Sequence, residues 1–402
     1  MLTYSDNHSV TLIAIGLYVP GTGFTRVLQS IFSHLKDYEV HWIGIGYKGN
    51  IIENENYTLY PCNVEGGDMY GAYQAVEMCQ AVDADTILLL NDFWMIKNYQ
   101  FPFSSLIPEV KTMAYIPLDG DIDDATHIEG ALWLDEIVLY NQHAYREVTQ
   151  ALDNLNHNGL EDRPYIRVIP HGVDYETFRE FSSSQAKSEI FHDLPDSKES
   201  LFILNANRYV KRKDLEKTLE IYAQSLPLFS LNTYLVLHLP NTPIADKEEI
   251  LQYIAQLKIS EKVIINPLGE EYVEDKELNL LYNACEIGIN TSMGEGWGMV
   301  TFEHALTGAA QIVPDHTACG TLWKSHGEVI SAPQPIKLMT NPFVMYKSDT
   351  TSGCEALIQL VNNPRHLEKS KKRCVERAQS IEFSWARIGT EWMEVLTPVT
   401  VQ

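Results

Sequence analysis

Residues 280–313 read LLYNACEIGINTSMGEGWGMVTFEHALTGAAQIV. A helical pattern over 276–283 runs into a short apolar strand at 287–290. A glycine-rich turn then leads to a second helix at 300–306 and a second strand at 311–313. Two strands joined through a helix require a crossover, which makes them parallel and the connection right-handed. This one stretch decides the fold class: α/β, with a parallel sheet covered on both faces.

The same alternation extends in both directions. Strands are expected at 11–15, 40–45, 86–90, 113–116, 136–139 and 166–169, then at 201–204, 234–239 and 263–265. Helices are expected at 24–35, 70–81 and near 144–152, then at 215–225 and 247–257. The pattern breaks once, at 181–200, where FSSSQAKSEIFHDLPDSKES is polar and Ser-rich. A domain boundary is placed there. The expected division is 1–180, a first doubly wound domain; 181–375, a second; and 376–402, a C-terminal helix packing back on the first. Two doubly wound sheets bind ligands outside the carboxyl ends of their strands.

Composition agrees. A chain of 402 residues suits two domains. Lys plus Arg is 30 and Asp plus Glu is 54, a net charge of −24. So acidic a chain repels nucleic acid and anionic bilayers over most of its surface. No apolar run reaches the roughly 18 residues of a spanning helix, and Met1–Asp6 lacks the basic start of a secretory signal. Six scattered cysteines, none in a C-x-x-C pair, read as reduced thiols of a cytosolic protein.

Four stretches could carry chemistry. The turn Gly294-Glu295-Gly296-Trp297-Gly298-Met299-Val300-Thr301-Phe302-Glu303 offers backbone N–H groups and a helix N-terminus to an anion, and two carboxylates to sugar or ribose hydroxyls. Asn207-Arg208-Tyr209-Val210-Lys211-Arg212-Lys213 puts four cations at a strand's carboxyl end, where Arg and Lys suit phosphate. Val19-Pro20-Gly21-Thr22-Gly23-Phe24 forms a Gly turn that matches neither G-x-G-x-x-G nor a Walker A loop. Pro170-His171-Gly172-Val173-Asp174 reads as a hinge. Each has a plain alternative: a tight turn, a solvated basic loop, or a hydrogen-bonded structural histidine.

Together these stretches resemble glycosyltransferase family 4, retaining nucleotide-sugar enzymes of GT-B fold. Glu295 and Glu303 match its E-x7-E. Leu280-Leu281-Tyr282-Asn283-Ala284-Cys285-Glu286 looks like its "LYxxAD" helix, and Arg208 and Lys213 are spaced like its Arg and Lys. Pro170-His171-Gly172-Val173-Asp174 is similar to "PNGVD", and Phe383-Ser384-Trp385 to "FSW". The resemblance implies two Rossmann-like domains facing across a cleft and a hexosyl group moved from a UDP- or GDP-linked sugar, with no further cofactor or metal. Arg208 and Lys213 would neutralise the diphosphate. Glu303 would bind the ribose and Glu295 the sugar. Gly296, Trp297, Gly298, Met299, Val300 and Thr301 would line the donor. Asn266, Leu268 and their neighbours would flank the base. Gly21, Thr22 and Gly23 would lie across the cleft, and His171 near the hinge.

The chain departs from that pattern where the family often carries a His. Asp119, in Tyr115-Ile116-Pro117-Leu118-Asp119-Gly120, stands in its place. Asp119-Gly120-Asp121 and Asp121-Ile122-Asp123 also match the short D-x-D pattern of metal-dependent transferases. A sugar-nucleotide epimerase or other GT-B-like enzyme, and a non-catalytic nucleotide-sugar-binding or scaffold protein, are the competing readings. Residues 1–150 hold 6 basic and 20 acidic residues, net −14. That favours a soluble saccharide, a neutral acceptor or a protein acceptor, and leaves open a glycolipid and a peripheral membrane contact.

Overall fold

Strand β1, Val10–Leu17, is the axis of the first unit. Its apolar run VTLIAIGL is buried on both faces, as a central parallel strand must be. The structure, a computed structural model, describes residues 9–104, 110–156 and 163–397. After β1 come α1 Gly23–Phe32, β2 Tyr38–Ile45, β3 Ile52–Glu53, β4 Thr58–Pro61, α2 Ala72–Val82, β5 Thr86–Leu90, α3 Phe93–Phe103, β6 Lys111–Ile116, β7 Glu136–Leu139, α4 Gln142–Asn156 and β8 Tyr165–Val168. The sheet order is β3-β4-β2-β1-β5-β6-β7-β8, parallel except for β3. The winding direction reverses between β1 and β5.

The second unit repeats the scheme. It comprises α5 Ser183–Ile190, β9 Leu201–Asn205, α6 Leu215–Ser225, β10 Thr233–Leu237, α7 Ile244–Gln256, β11 Val263–Ile265, α8 Asp275–Ala284, β12 Ile287–Ile289, α9 Met299–Leu306, β13 Ala310–Pro314, α10 Thr317–Trp323, β14 Glu328–Ile330, the hairpin β15 Gln334–Leu338 and β16 Asn341–Lys347, α11 Thr350–Asn362 and α12 Pro364–Ala378. Its parallel sheet runs β11-β10-β9-β12-β13-β14 and reverses between β9 and β12. The packing on this sheet is aliphatic: Ile203, Leu219, Leu235, Ile289, Ile312 and Leu357 share one buried cluster.

The units divide at Gly172/Val173 and again at Ser384/Trp385, and residues 119–123 belong to the second unit. These divisions lie 8 or 9 residues from those expected at 180/181 and 375/376. The last helix, α13 Trp385–Leu396, belongs to the first unit. There Trp392 meets the Tyr115 ring edge-on at 4.9 Å, and the Met393 carbonyl accepts from the Tyr38 hydroxyl at 3.0 Å.

The Ser-rich stretch is not a linker. Ser182 caps α5, its hydroxyl accepting from the Gln185 N–H at 3.3 Å. Lys187 is buried, pairs with Glu286 and donates to the Ser200 carbonyl at 2.7 Å. A polar composition concealed one buried cation and its partner 99 residues away. No described helix is long and apolar enough to cross a membrane.

Candidate active site

The loops that follow β9 and β12 meet at the switch point of the second sheet, where Ile203 and Ile287 pair. Switch points form the ligand crevice of doubly wound sheets. Hydroxyls and amides stitch the loops together. Asn205 Nδ2 donates to Thr218 Oγ1 at 2.9 Å, Thr218 meets the Thr291 hydroxyl at 2.7 Å, and Thr291 donates to the Asp214 carbonyl at 2.9 Å. The Met293 N–H reaches the Arg212 carbonyl at 2.7 Å.

This frame holds a buried charge cluster. Lys213, in a 3-10 turn over Lys211–Lys213, pairs directly with Glu295. Ser292 Oγ donates to the same carboxylate at 2.9 Å, and Arg212 reaches its other oxygen at 3.3 Å. Arg212 also lies 3.2 Å from Asp119 and donates to the Gly294 carbonyl. Burial alone would raise the Glu295 carboxyl. The charges of Lys213 and Arg212 outweigh it and hold the group at about 2. Burial pulls the Lys213 ammonium below its ordinary value, against the pull of Glu295. Next to it, burial lifts Asp214 to about 6, and its Oδ2 has no hydrogen-bond partner among the described residues.

Asp119 reaches Arg212 because Gly294 has no side chain. A Cβ there would overlap the Asp119 carbonyl oxygen. The hairpin holds the 119–123 segment in place. Asp121 and Val344 exchange backbone hydrogen bonds of 2.8 and 3.0 Å, Tyr346 donates to Asp121 at 2.5 Å, and Lys337 pairs with Asp123 at 2.5 Å. The three acids of the D-x-D stretch thus face three different partners: a guanidinium, a phenol and an ammonium. On the other flank, a ring nitrogen of His316 lies 2.8 Å from the Ser292 carbonyl, to which it donates, and the ring stacks on Tyr346. Its neighbour Thr317 takes φ +44, a costly conformation for a β-branched residue, and its hydroxyl accepts from the Glu295 N–H at 3.2 Å. Strain of this kind persists where the surroundings enforce it, often at functional sites.

The structure therefore brings Asp119, Lys213 and Glu295 together, and it adds Arg212, Ser292, His316 and Thr317. Arg208 is exposed at the loop's outer edge and, among the described residues, has no ion pair or hydrogen bond. Gly298, φ +91, caps α9, so the amides of Met299 and Val300 open the helix beside the cluster. Glu303 is 4% exposed and accepts from the Tyr282 hydroxyl at 3.2 Å. Trp297 is a core residue, stacked on Phe302 at 5.0 Å, while Gly296 and Thr301 flank it in the turn and the first turn of α9. Asn266, at φ +47, uses its side chain to hold the loop after β10, accepting from the Leu239 N–H; Leu268 follows, half-buried. His238, at the end of β10, is buried with Nδ1 unpartnered among the described residues, and burial lowers it to about 4. Its N–H donates to the Asn205 carbonyl of β9 at 3.0 Å, and nothing in its apolar surroundings along the chain had marked it.

Two expected groups lie in the first unit. His171 is buried, held neutral with its pKa lowered to about 3 by burial, and hydrogen-bonded to the Tyr115 hydroxyl at 2.7 Å. Its ring lies against those of Tyr115 and Tyr140, at 5.3 and 4.1 Å. Gly21, Thr22 and Gly23 form an open turn into α1, Gly21 at φ +77.

No protein-family model matches the chain, and no curated protein matches it in sequence. Solved structures do match in fold. Sucrose-phosphate synthase from Thermosynechococcus elongatus superposes with a TM-score of 0.73 at 13% identity, over 96% of this chain and 98% of its own. The UDP-forming α,α-trehalose-phosphate synthase from Burkholderia xenovorans, in complex with glucose-6-phosphate, gives 0.71 at 10%, over 97% and 100%. Anabaena Alr3699/HepE, in complex with UDP and glucose, gives 0.69 at 13%, over 96% and 99%. The chain has the GT-B fold, with two Rossmann-like parallel-sheet domains.

Proposed function

We propose that the protein is a retaining glycosyltransferase, of family 4 by its motifs, which moves a hexosyl group from a nucleotide-sugar to an acceptor hydroxyl. The carrying observation is the buried Lys213–Glu295–Arg212 cluster at a sheet switch point, beside the N-terminus of α9. Fixed cations and a helix N-terminus suit a diphosphate leaving group. The fold neighbours' ligands, UDP with glucose in one of them, support this donor class.

The acceptor oxygen bonds to the anomeric carbon as the glycosyl–phosphate bond breaks. The bond's electron pair goes to the leaving phosphate, which takes the acceptor's proton. In this reading Lys213 and exposed Arg208 stabilise the developing phosphate charge. Glu295 fixes Lys213 and meets the sugar hydroxyls. Asp119 orients Arg212, and Glu303 lies within reach of the ribose once Tyr282 yields. No cofactor takes part.

Calorimetry with UDP- and GDP-sugars tests the donor site. Arg208 is exposed, so Arg208→Ala leaves the fold intact and should weaken the matching donor by roughly 10- to 100-fold, the worth of a charge-assisted contact. Unchanged affinity removes the phosphate role. Turnover should survive exhaustive EDTA treatment, and proton NMR of fresh product should show the donor's anomeric configuration. Loss of turnover to EDTA, with rescue by Mg2+ or Mn2+ that Asp121→Asn blocks, would make the acidic stretch a metal site.

A further inference from the structure

The first unit carries a concavity of 890 Å³ at the carboxyl ends of β2 and β4. Its walls are the loop after β2, with Lys48; the loop after β4, with Asn63 and Glu65; and the first turns of α2, with Tyr73, Gln74 and Glu77. The floor is rigid. The buried Asp68 carboxylate accepts from the Ala72 and Gln74 N–H groups at 2.9 and 2.8 Å, and Gln74 Nε2 donates to the Pro61 carbonyl at 3.1 Å.

The rim has a particular chemistry. Tyr73 is 55% exposed, a flat ring facing solvent on a well-anchored helix turn. Glu77 follows it at i+4, so ring and carboxylate share one helix face. Glu65 stands on the opposite loop. Among the described residues neither glutamate is engaged by a hydrogen bond or ion pair. An aromatic face beside free carboxylates matches a sugar ring, whose C–H face stacks and whose vicinal hydroxyls donate. The charge is wrong for an anion. The loops after β1, β2, β4, β5 and β6 contain one lysine, Lys48, and no arginine, against Glu65, Asp68, Asp92 and the acids of 119–124. A phosphate needs a fork of arginine or a cluster of lysines.

We propose that this groove holds the acceptor, and that the acceptor is an uncharged saccharide rather than a sugar phosphate. This rests on the glycosyltransferase reading but separates the chain from the neighbour held with glucose-6-phosphate.

The test has two arms. Saturation-transfer NMR reads direct binding of neutral probes, namely maltotriose, cellotriose, mannotriose and chitotriose, against glucose 6-phosphate, fructose 6-phosphate and mannose 6-phosphate. It needs no donor, so it decides the groove even if every nucleotide-sugar fails to bind and the transferase reading falls. At least one neutral probe should bind, and Tyr73→Ala and Glu77→Gln should each weaken it roughly tenfold. Both positions are exposed, so the fold survives. In the second arm, nucleotide release from the matching donor should be accelerated by that saccharide and not by the phosphates. The variants should raise its KM while leaving the donor Kd unchanged. The double variant Glu65→Lys/Glu77→Lys should shift preference towards a sugar phosphate. Failure of every neutral probe, binding untouched by Tyr73→Ala, or a preferred sugar phosphate whose binding Lys48→Ala removes, overturns the inference.

Discussion

The turn after β1 and the turn after β12 each join a strand to a helix at a sheet's switch point, and they are built from opposite materials. The first has no charge. Thr25 Oγ1 accepts from the Val19 N–H at 2.9 Å and lies 2.9 Å from the Leu17 carbonyl, while Thr22 Oγ1 donates to the Val19 carbonyl at 2.8 Å. The second buries Glu295 to 4% exposure and surrounds it with Lys213 and Arg212. Burying an ion pair gains little, because desolvation offsets the attraction. The first turn shows that hydroxyls close such a loop without charge. The buried pair in the second is therefore better explained by what it is placed to bind than by the stability of the turn.

The two turns should differ most at Glu295. Glu295→Ala leaves Lys213 buried without its counter-charge and should destabilise the second unit by about 3–5 kcal/mol. The double variant Lys213→Met/Glu295→Met should recover much of that loss, since it removes both charges. Urea unfolding of the three proteins measures it. If the double variant is as unstable as the single one, packing rather than charge explains the effect.

The next largest effect is a pH dependence of opposite sign within the same site. Glu295 is held at about 2, below its ordinary 4.5, so its contribution is present above pH 4.5 and is lost as pH falls towards 2. Asp214 is lifted from 3.8 to about 6. The native state then binds its proton more tightly than the unfolded chain. Stability from this group is full below about pH 4 and declines as pH rises to about 6, by up to about 3 kcal/mol. Asp214→Asn should remove that decline and leave a protein more stable than the parent at about pH 7. Asn tolerates the φ of +44 found there. Unchanged stability from about pH 4 to about pH 7 in both proteins would refute the raised carboxyl.

Much of this contrast was legible in the chain. Apolar runs such as TILLL at 86–90 announce a central strand, and the Gly turn flanked by Glu295 and Glu303 announces a site. The cation that faces Glu295 beside Lys213 was not legible. Arg208 and Arg212 lie in one basic loop, and only the 3-10 turn over Lys211–Lys213 decides which turns inward. The helix α3 was hidden for another reason: FWMIKNYQFPF is apolar on most sides and has Pro102 near its end, so it shows no single face. The hairpin was missed because β15 is largely exposed and because β16, although its burial alternates, reads NPFVMYK along the chain, with a proline and a continuous apolar run in place of an apolar–polar pattern. Asp119 could be located by its place after β6, but its partner Arg212 came from a loop far along the chain.

Glycines set the two turns apart at a smaller scale. A Cβ at Gly294 must displace the Asp119 backbone and with it the Arg212 contact. Gly294→Ala should cost about 1–3 kcal/mol and weaken donor binding as well. Gly21→Ala asks only for a left-handed alanine at φ +77 in an exposed turn, about 1 kcal/mol. Equal losses in stability would mean that the second turn has no tighter construction than the first.

The smallest effect belongs to the uncharged turn. Thr22→Val removes one hydroxyl that donates to the Val19 carbonyl and lies 2.9 Å from the Thr25 hydroxyl. Thr22 is half-exposed, so water replaces the lost donor and the cost should be about 0.5–1 kcal/mol. The stronger expectation concerns shape rather than size. No group in that turn titrates between about pH 4 and about pH 8, so the Thr22→Val deficit should stay constant across that range and from low to high salt. The deficit of Glu295→Ala should instead shrink towards about pH 2, as the parent's carboxylate takes up its proton and releases Lys213. Parallel stability–pH curves for Thr22→Val and its parent, with converging curves for Glu295→Ala, would separate a turn held by hydroxyls from one held by charge. A Thr22→Val deficit that varies with pH would place a titrating group at the first turn and erase the distinction.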